Sequence, residues 1–252
     1  MRIMIKHSIG LVSVSFRKHS PKEILEAMKR TNLSCIEWGS DVHAPCNDEK
    51  KLHELAKLQK EYGIYCCSYG TYLRLGTDKL ECLEEYAKAA SILGTKILRI
   101  WCGDKSRQQY SEDERHKLLK DAKKASEIAQ KHDITLCMEC HNNTYTETLD
   151  GAVELMEYVG SPNFQMYWQP NQFKDFAANA EYAKRISPYV KNVHVFNWLG
   201  NDKYPLCEAV ETWKKYLACF DEPKTLLLEF MPDGRIESLE KEAKALDVIT
   251  DK

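Results

Sequence analysis

Four polar residues with ligand chemistry fall near the ends of short apolar runs in the second half of the chain: Glu139, Gln169, His194 and Glu229. If each run is a β-strand, its neighbours fix the direction of the polar side chain, because successive side chains of a strand point to opposite faces. In the run 134–140, Leu136 and Met138 share one face while Cys137 and Glu139 share the other. In 164–169, Phe164, Met166 and Trp168 oppose Gln165, Tyr167 and Gln169. Val193 and Val195 oppose His194, and Leu226, Leu228 and Phe230 oppose Glu229. Large apolar residues belong against packed helices, so the four polar groups are expected to point together into one interior. A buried, unpaired carboxylate costs roughly several kcal/mol, and two neighbouring carboxylates repel each other and raise a pKa. A divalent cation held between them removes both difficulties. Carboxylate oxygen, imidazole nitrogen and amide oxygen suit Mn, Mg, Co, Zn or Fe(II). The alternative is a metal-free cluster of separate ion pairs.

Such convergence needs strands that lie side by side with their carboxyl ends together. The chain supplies them in strict alternation with helical patterns. Strand-like runs occur at 9–16, 34–39, 64–69, 96–101, 134–140, 164–169, 190–197 and 225–230. Helical patterns follow each, the first opening at Ser20-Pro21 with Ile24, Leu25 and Met28 at helical spacing, the others at about 48–62, 79–93, 111–131, 148–159, 173–186, 207–220 and 238–249. Ser20-Pro21 opens the first helix as cap and first residue; Ser111 and Glu114 have capping-box spacing; Gly63 and Gly94 stop two others. Eight β/α units in 252 residues predict a (β/α)8 TIM barrel, a single domain over 1–252. The competitor, an open doubly wound sheet, usually carries a glycine-rich phosphate loop after its first strand. Here that strand runs into Arg17-Lys18-His19-Ser20. In a barrel, ligands bind at the carboxyl ends of the strands.

The same parity turns Glu37, Arg99 and Trp101 inward at their strand ends, and places His43 and His141 just beyond strands. These are the candidates that strand position offers for contacts with a substrate. Arg99 pairs with Glu37 or Glu139, or anchors an anion; Trp101 is a platform for a sugar ring or ordinary packing; either histidine is a proton donor or merely polar. Asn142, Thr144 and Thr146 bind hydroxyls or cap the next helix, and 197–205 is a lid or a plain surface loop.

Composition narrows the function classes. Net charge is −2, with 29% charged and 43% hydrophobic residues, so no basic field favours nucleic acid. No apolar run approaches the roughly 20 residues that span a bilayer, and the first residues lack the long apolar region of a signal peptide. The ten cysteines lie mostly inside predicted elements and read as reduced, buried thiols of a cytoplasmic protein. The expected partner is a small molecule, with no nucleic acid and no membrane; a homo-oligomer is left open.

The motifs Ile36-Glu37-Trp38-Gly39, Leu98-Arg99-Ile100-Trp101, Met138-Glu139-Cys140-His141, Tyr167-Trp168-Gln169-Pro170, Val193-His194-Val195 and Leu228-Glu229-Phe230 resemble, in order and strand placement, the xylose isomerase-like TIM barrels of the sugar phosphate isomerase/epimerase superfamily. The resemblance implies a metal site built of Glu from strand five, Asp from strand six, His from strand seven and Glu from strand eight. Glu139, His194 and Glu229 match; Gln169 stands where most relatives carry Asp, which lowers the ligand charge from −3 to −2. Gln172 stands where epimerases often carry His, so the resemblance adds it to the candidates for substrate contacts, and no Arg follows His194 in the place where relatives have one. The implied function is a divalent-metal-dependent isomerase or epimerase of a small sugar or related hydroxy-carbonyl compound, with Glu139 and Glu229 as acid and base on either side of an enediolate. A metal-dependent lyase or dehydratase, or a metal-free sugar-binding barrel, would use the same scaffold.

Overall fold

The computed structural model describes residues 7–251. Eight parallel strands close into a barrel in the order β1-β10-β7-β6-β5-β4-β3-β2. They are β1 (Ser8–Val12), β2 (Cys35–Gly39), β3 (Tyr65–Leu75), β4 (Ile97–Cys102), β5 (Thr135–Glu139), β6 (Phe164–Trp168), β7 (Val190–Val195) and β10 (Thr225–Leu228). A small antiparallel pair, β8 (Trp198–Leu199) and β9 (Asp202–Lys203), projects between β7 and the next helix. Helices α1 (Pro21–Met28), α2 (Glu49–Glu61), α3 (Cys82–Leu93), α4 (Glu112–Lys131), α5 (Leu149–Val159), α6 (Phe176–Ile186), α7 (Val210–Leu217) and α8 (Leu239–Thr250) each follow a barrel strand.

Local signals explain the boundaries. Ser20 and Glu23 close a capping box around Pro21, and Ser111 and Glu114 do the same for α4. Gly94 ends α3 in the left-handed conformation. Asp175 accepts a hydrogen bond from the Ala178 N–H and starts α6 three residues later than its periodicity suggested. The expected strand 9–16 stops at Val12 and tightens into a 3-10 turn, Ser13–Phe16. The stretch expected as one helix from 207 is a 3-10 turn, Leu206–Ala209, before α7.

Side-chain parity divides the core into two shells. Leu98, Ile100, Leu136, Met138, Met166, Trp168, Val193 and Val195 pack between strands and helices. Val12, Cys35, Cys137, Tyr167 and Leu227 form a separate inner cluster that fills the barrel. The barrel is therefore packed along its axis beneath the polar side chains that crown the strands. All ten cysteines are free thiols. Cys137 and Cys140 do stand in Cys-x-x-Cys spacing, yet three residues along an extended chain reverse the face: Cys137 lies in the inner cluster and Cys140 in the outer. No helix among the described residues is long and apolar enough to cross a membrane.

Candidate active site

His194 stands at the centre of the crown. Its Nδ1 lies 3.0 Å from Gln169 Oε1 and 3.5 Å from both Glu139 Oε1 and Glu229 Oε2. The ligand atoms of Glu139, His194 and Glu229 all fall within 4.8 Å of one another. Four residues from β5, β7 and the ends of β6 and β10 thus meet as strand parity predicts. Glu229 lies one residue past β10, where its N–H still donates to Val195 O at 3.0 Å and prolongs the ladder.

Below them runs a buried ionic chain. Arg99 donates from Nε to Glu37 Oε1 at 2.9 Å and from Nη1 to Glu139 Oε2 at 2.5 Å. The two alternatives for Arg99 are both realised. Glu37 also accepts from Ser68 Oγ and Tyr167 Oη, each at 2.7 Å. Gly70 makes room for this pair: a Cβ there would meet Glu37 Oε1 at 2.5 Å and Arg99 Nη2 at 2.9 Å. Burial alone would raise the pKa of Glu37, but Arg99, His194 and the Tyr167 hydroxyl together hold it down to about 2. Burial opposes ionisation of Glu139 too, and Arg99 and His194 outweigh it, so this carboxyl stays well below the usual range. Glu229 has no such donor; burial and the neighbouring Glu139 push it up, against the pull of His194 and Arg99. Burial disfavours a charged His194, yet Glu229, Glu139 and Glu37 push it up to about 10. Without a metal, the imidazolium takes the place of a cation among these carboxylates.

The tautomer of His194 tests whether a metal fits. Among the described residues His194 Nε2 is buried with no hydrogen-bond partner, and a carboxylate oxygen, Glu37 Oε1, lies 3.8 Å from it. A ring that gives its Nδ1 lone pair to a cation must carry its proton on Nε2, aimed here at a carboxylate. A carboxylate behind the second nitrogen is the usual support of a metal-bound histidine. Nδ1 meanwhile faces three oxygens on one side. The donor set is oxygen-rich with one nitrogen, suited to a hard or borderline divalent ion. Glu139, Gln169, His194 and Glu229 would hold it.

Above the cluster opens a cavity of about 210 Å³. Trp101 forms one wall, its Nε1 donating to Glu139 Oε2 at 2.6 Å, with Tyr72 edge-on at 5.4 Å and the His141 ring tilted at 5.2 Å. Phe196, Trp198 and Phe230 form another, with Lys203 Nζ 4.7 Å and 5.0 Å from the last two rings. Of the candidates for substrate contacts, His141, Gln172, Arg99 and Trp101 line the cavity.

Three expectations need correction. Glu37 is fully buried beneath the cavity, because Arg99 lies between it and Glu139. His43 is buried outside the cavity lining, its Nδ1 3.1 Å from Ser13 Oγ and its Nε2 3.1 Å from His19 O. Phe230 does not face the helices: at φ +53° it leaves the strand alternation and turns its ring to the cavity. Thr144 and Thr146 are buried and bond to the carbonyls of His141 and Glu139, so they shape the loop, while Asn142 reaches the cavity. The segment 197–205 carries the β8–β9 hairpin, whose Trp198 is part of the wall.

Sequence reasoning missed Tyr72 and Arg17 in the lining. β3 was expected to end at 69, whereas it continues to Leu75, with a register shift between Gly70 and Arg74 that carries Tyr72 over the mouth. The continued alternation Tyr72-Leu73-Arg74-Leu75 was the available signal.

Known proteins resemble this chain in sequence and in fold. A 3-dehydroshikimate dehydratase from Bacillus anthracis is 24% identical over 201 residues, covering 77% of this chain and 72% of its own. The crystal structure of the probable 3-DHS dehydratase of petrobactin synthesis from Bacillus anthracis superposes with a TM-score of 0.79 at 18% identity, over 96% of this chain and 99% of that one. A xylose isomerase-like TIM barrel protein from Mycobacterium smegmatis, in complex with magnesium, gives 0.71 at 12% identity over 97% of each chain. Residues 25–205 match the family model described as xylose isomerase-like TIM barrel. With the eight-stranded barrel, this shows that the chain belongs to the xylose isomerase-like TIM barrel family.

Proposed function

We propose that the chain is a divalent-metal-dependent enzyme that removes a proton next to the carbonyl of a small polyhydroxylated compound and then expels water, a dehydratase. The observation that carries this reading is the contrast between Glu139 and His141. Glu139 Oε2 is taken by Arg99 and Trp101, and its Oε1 faces the ligand cluster. It is a poor base. His141 Nδ1 lies 2.7 Å from Asn142 O, and a carbonyl oxygen only accepts, so in the neutral ring Nδ1 carries the hydrogen and Nε2 keeps a lone pair. His141 lines the cavity beside Trp101.

A bound divalent ion would supply charge stabilisation to the oxygen that becomes negative as the proton leaves. The remaining work falls to side chains. Trp101 and Arg99 hold Glu139 ionised and immobile. His141 Nε2 accepts the proton from the carbon beside the carbonyl. The C–H electron pair becomes a carbon–carbon double bond, the β carbon–oxygen bond breaks, and the proton returned by His141 leaves with that oxygen as water. The similarity to a 3-dehydroshikimate dehydratase over most of the chain supports dehydration as the reaction class.

A second reading, epimerisation through an enediolate, is favoured by the two carboxyls Glu139 and Glu229 on the same cluster and by the likeness of the fold to D-psicose 3-epimerase, TM-score 0.68. Metal-loaded protein in heavy water, given 3-dehydroshikimate or D-fructose and followed by proton NMR, separates the two. Dehydration yields loss of water from the first; epimerisation yields deuterium and a new ketose from the second. His141→Asn should slow the dehydratase reaction by about 10²–10⁴-fold with metal content unchanged. The epimerase reading predicts instead that Glu139→Gln and Glu229→Gln each stop exchange while His141→Asn does not. No reaction with either compound, in protein shown to hold metal, would overturn both.

A further inference from the structure

Two arginines line the cavity, and they differ in burial and in the charge around them. Arg99 is buried and balanced by two carboxylates, its Nε and Nη1 bonded to Glu37 and Glu139. Arg17, just after the 3-10 turn that follows β1, is exposed at 40% of its side chain and pairs with one carboxylate. Its Nε donates to Asp41 Oδ2 at 2.5 Å, its Nη2 to Tyr72 Oη at 2.5 Å and its Nη1 to Val14 O at 3.3 Å. A guanidinium has five N–H donors in a planar fork. Three have partners, and one N–H on each Nη is left over. Tyr72 Oη also donates to Asp41 Oδ2, at 3.1 Å, so Asp41 and Tyr72 together occupy the Nε side of the fork. One N–H on each of the two Nη atoms remains, enough to meet the two oxygens of a carboxylate.

Among the described residues no other arginine or lysine lines the cavity, and the Lys203 ammonium lies over the Trp198 and Phe230 rings. Asn142, Asn171, Gln169, Gln172 and His141 offer neutral partners suited to hydroxyls and carbonyls. The side chain of Arg17 keeps 40% of its exposure, so it meets an entering molecule at the rim while the metal-ligand cluster lies below. The cavity, about 210 Å³, equals the liquid volume of about seven waters, which suits a single small ring or a short chain.

We propose that Arg17 anchors a carboxylate of the substrate, making the substrate class a small hydroxy-keto acid and not a neutral sugar. Asp41 and Tyr72 are positioning residues that hold the guanidinium with its end toward the cavity. The proposal rests on the proton-transfer reading for where the carbonyl sits, but binding of the acid group does not depend on turnover.

The test is binding, measured by calorimetry on magnesium-loaded protein, with 3-dehydroshikimate and its methyl ester as probes. The two differ in the charge on one group. Wild type should bind the acid at least about tenfold more tightly than the ester, the worth of a charge-assisted hydrogen bond. Arg17→Gln should erase that difference by weakening the acid alone, and Arg17→Lys should restore part of it. Thermal unfolding of both variants checks that the fold survives, and Arg17→Lys keeps the question open to test should Arg17→Gln unfold. Equal binding of acid and ester by wild type, no binding of the acid, or an acid preference that persists in Arg17→Gln would each overturn the assignment; the last would point to the metal as the carboxylate's partner. Failure of the proton-transfer reading looks different: the acid preference stands while no deuterium exchange occurs.

Discussion

Replacing Glu37 by Gln tests whether the ionic chain under the site holds the barrel together. Glu37 is fully buried and accepts from Arg99, Ser68 and Tyr167. Glutamine keeps the size and one acceptor oxygen but removes the charge, leaving Arg99 with Glu139 as its one remaining carboxylate at bonding distance. Removing one partner of a buried ion pair costs about 3–5 kcal/mol, because the other charge stays desolvated. The depression of the Glu37 pKa from 4.5 to about 2 converts to about 3 kcal/mol, in agreement. The sign follows from linkage. A carboxyl with a lowered folded-state pKa stabilises above its unfolded value, and that contribution is lost as pH falls from about 4.5 to about 2. At pH 7 the full loss should therefore appear in Glu37→Gln. For a chain of this size, about 3 kcal/mol lowers Tm by roughly 6–12 °C. Urea unfolding at pH 7 is the assay, with a shifted midpoint and an unchanged m-value as the expected pattern. A loss below about 1 kcal/mol would refute the reasoning, since Arg99 would then be adequately paired by Glu139 alone.

Gln169→Asp raises the ligand charge from −2 to −3, and should tighten divalent metal binding by about tenfold or more in a calorimetric titration; unchanged or weaker affinity in a folded variant would remove Gln169 from the ligand set. His43 gives a pH prediction. Burial lowers its pKa below 6.5, against the upward pull of the His19 carbonyl and Asp41. The unfolded chain binds that proton first, so this contribution to stability is full above pH 6.5 and falls as the solution is acidified, by at most about 1.4 kcal/mol per pH unit. Urea midpoints at pH 7.5 and 5.5 should differ less in His43→Gln than in wild type, and equal differences would count against it.

Much of the site was legible in the sequence because strands report direction. A period of two, read against Leu136 and Met138, or Val193 and Val195, fixes where Glu139 and His194 point without any knowledge of what they meet. Alternation of strand and helix fixes that the strands are parallel, and parallel strands in a closed barrel bring their carboxyl ends together. That sufficed to bring Glu139, Gln169, His194 and Glu229 to one place.

What failed did so where the period stops. Phe230 lies beyond β10 at φ +53°, so counting by two gives the wrong face. His43 sits in a loop, and only the packed Ser13 hydroxyl and His19 carbonyl decide that both its nitrogens are spent. Glu37 has the inward parity expected of it, but depth in the barrel is not a property of parity; Arg99 reaching across from β4 makes it a support and not a wall. Partner choice is likewise tertiary. Arg99 could have met Glu37, Glu139 or a ligand, and the barrel radius lets one guanidinium span two carboxylates. The sequence determined the strands, their direction and the chemistry at their ends, because these are local and periodic. The tertiary structure alone decided which cation is buried between two carboxylates and which stays exposed beside one, as with Arg99 and Arg17, because an ion pair depends on distances between residues far apart in the chain.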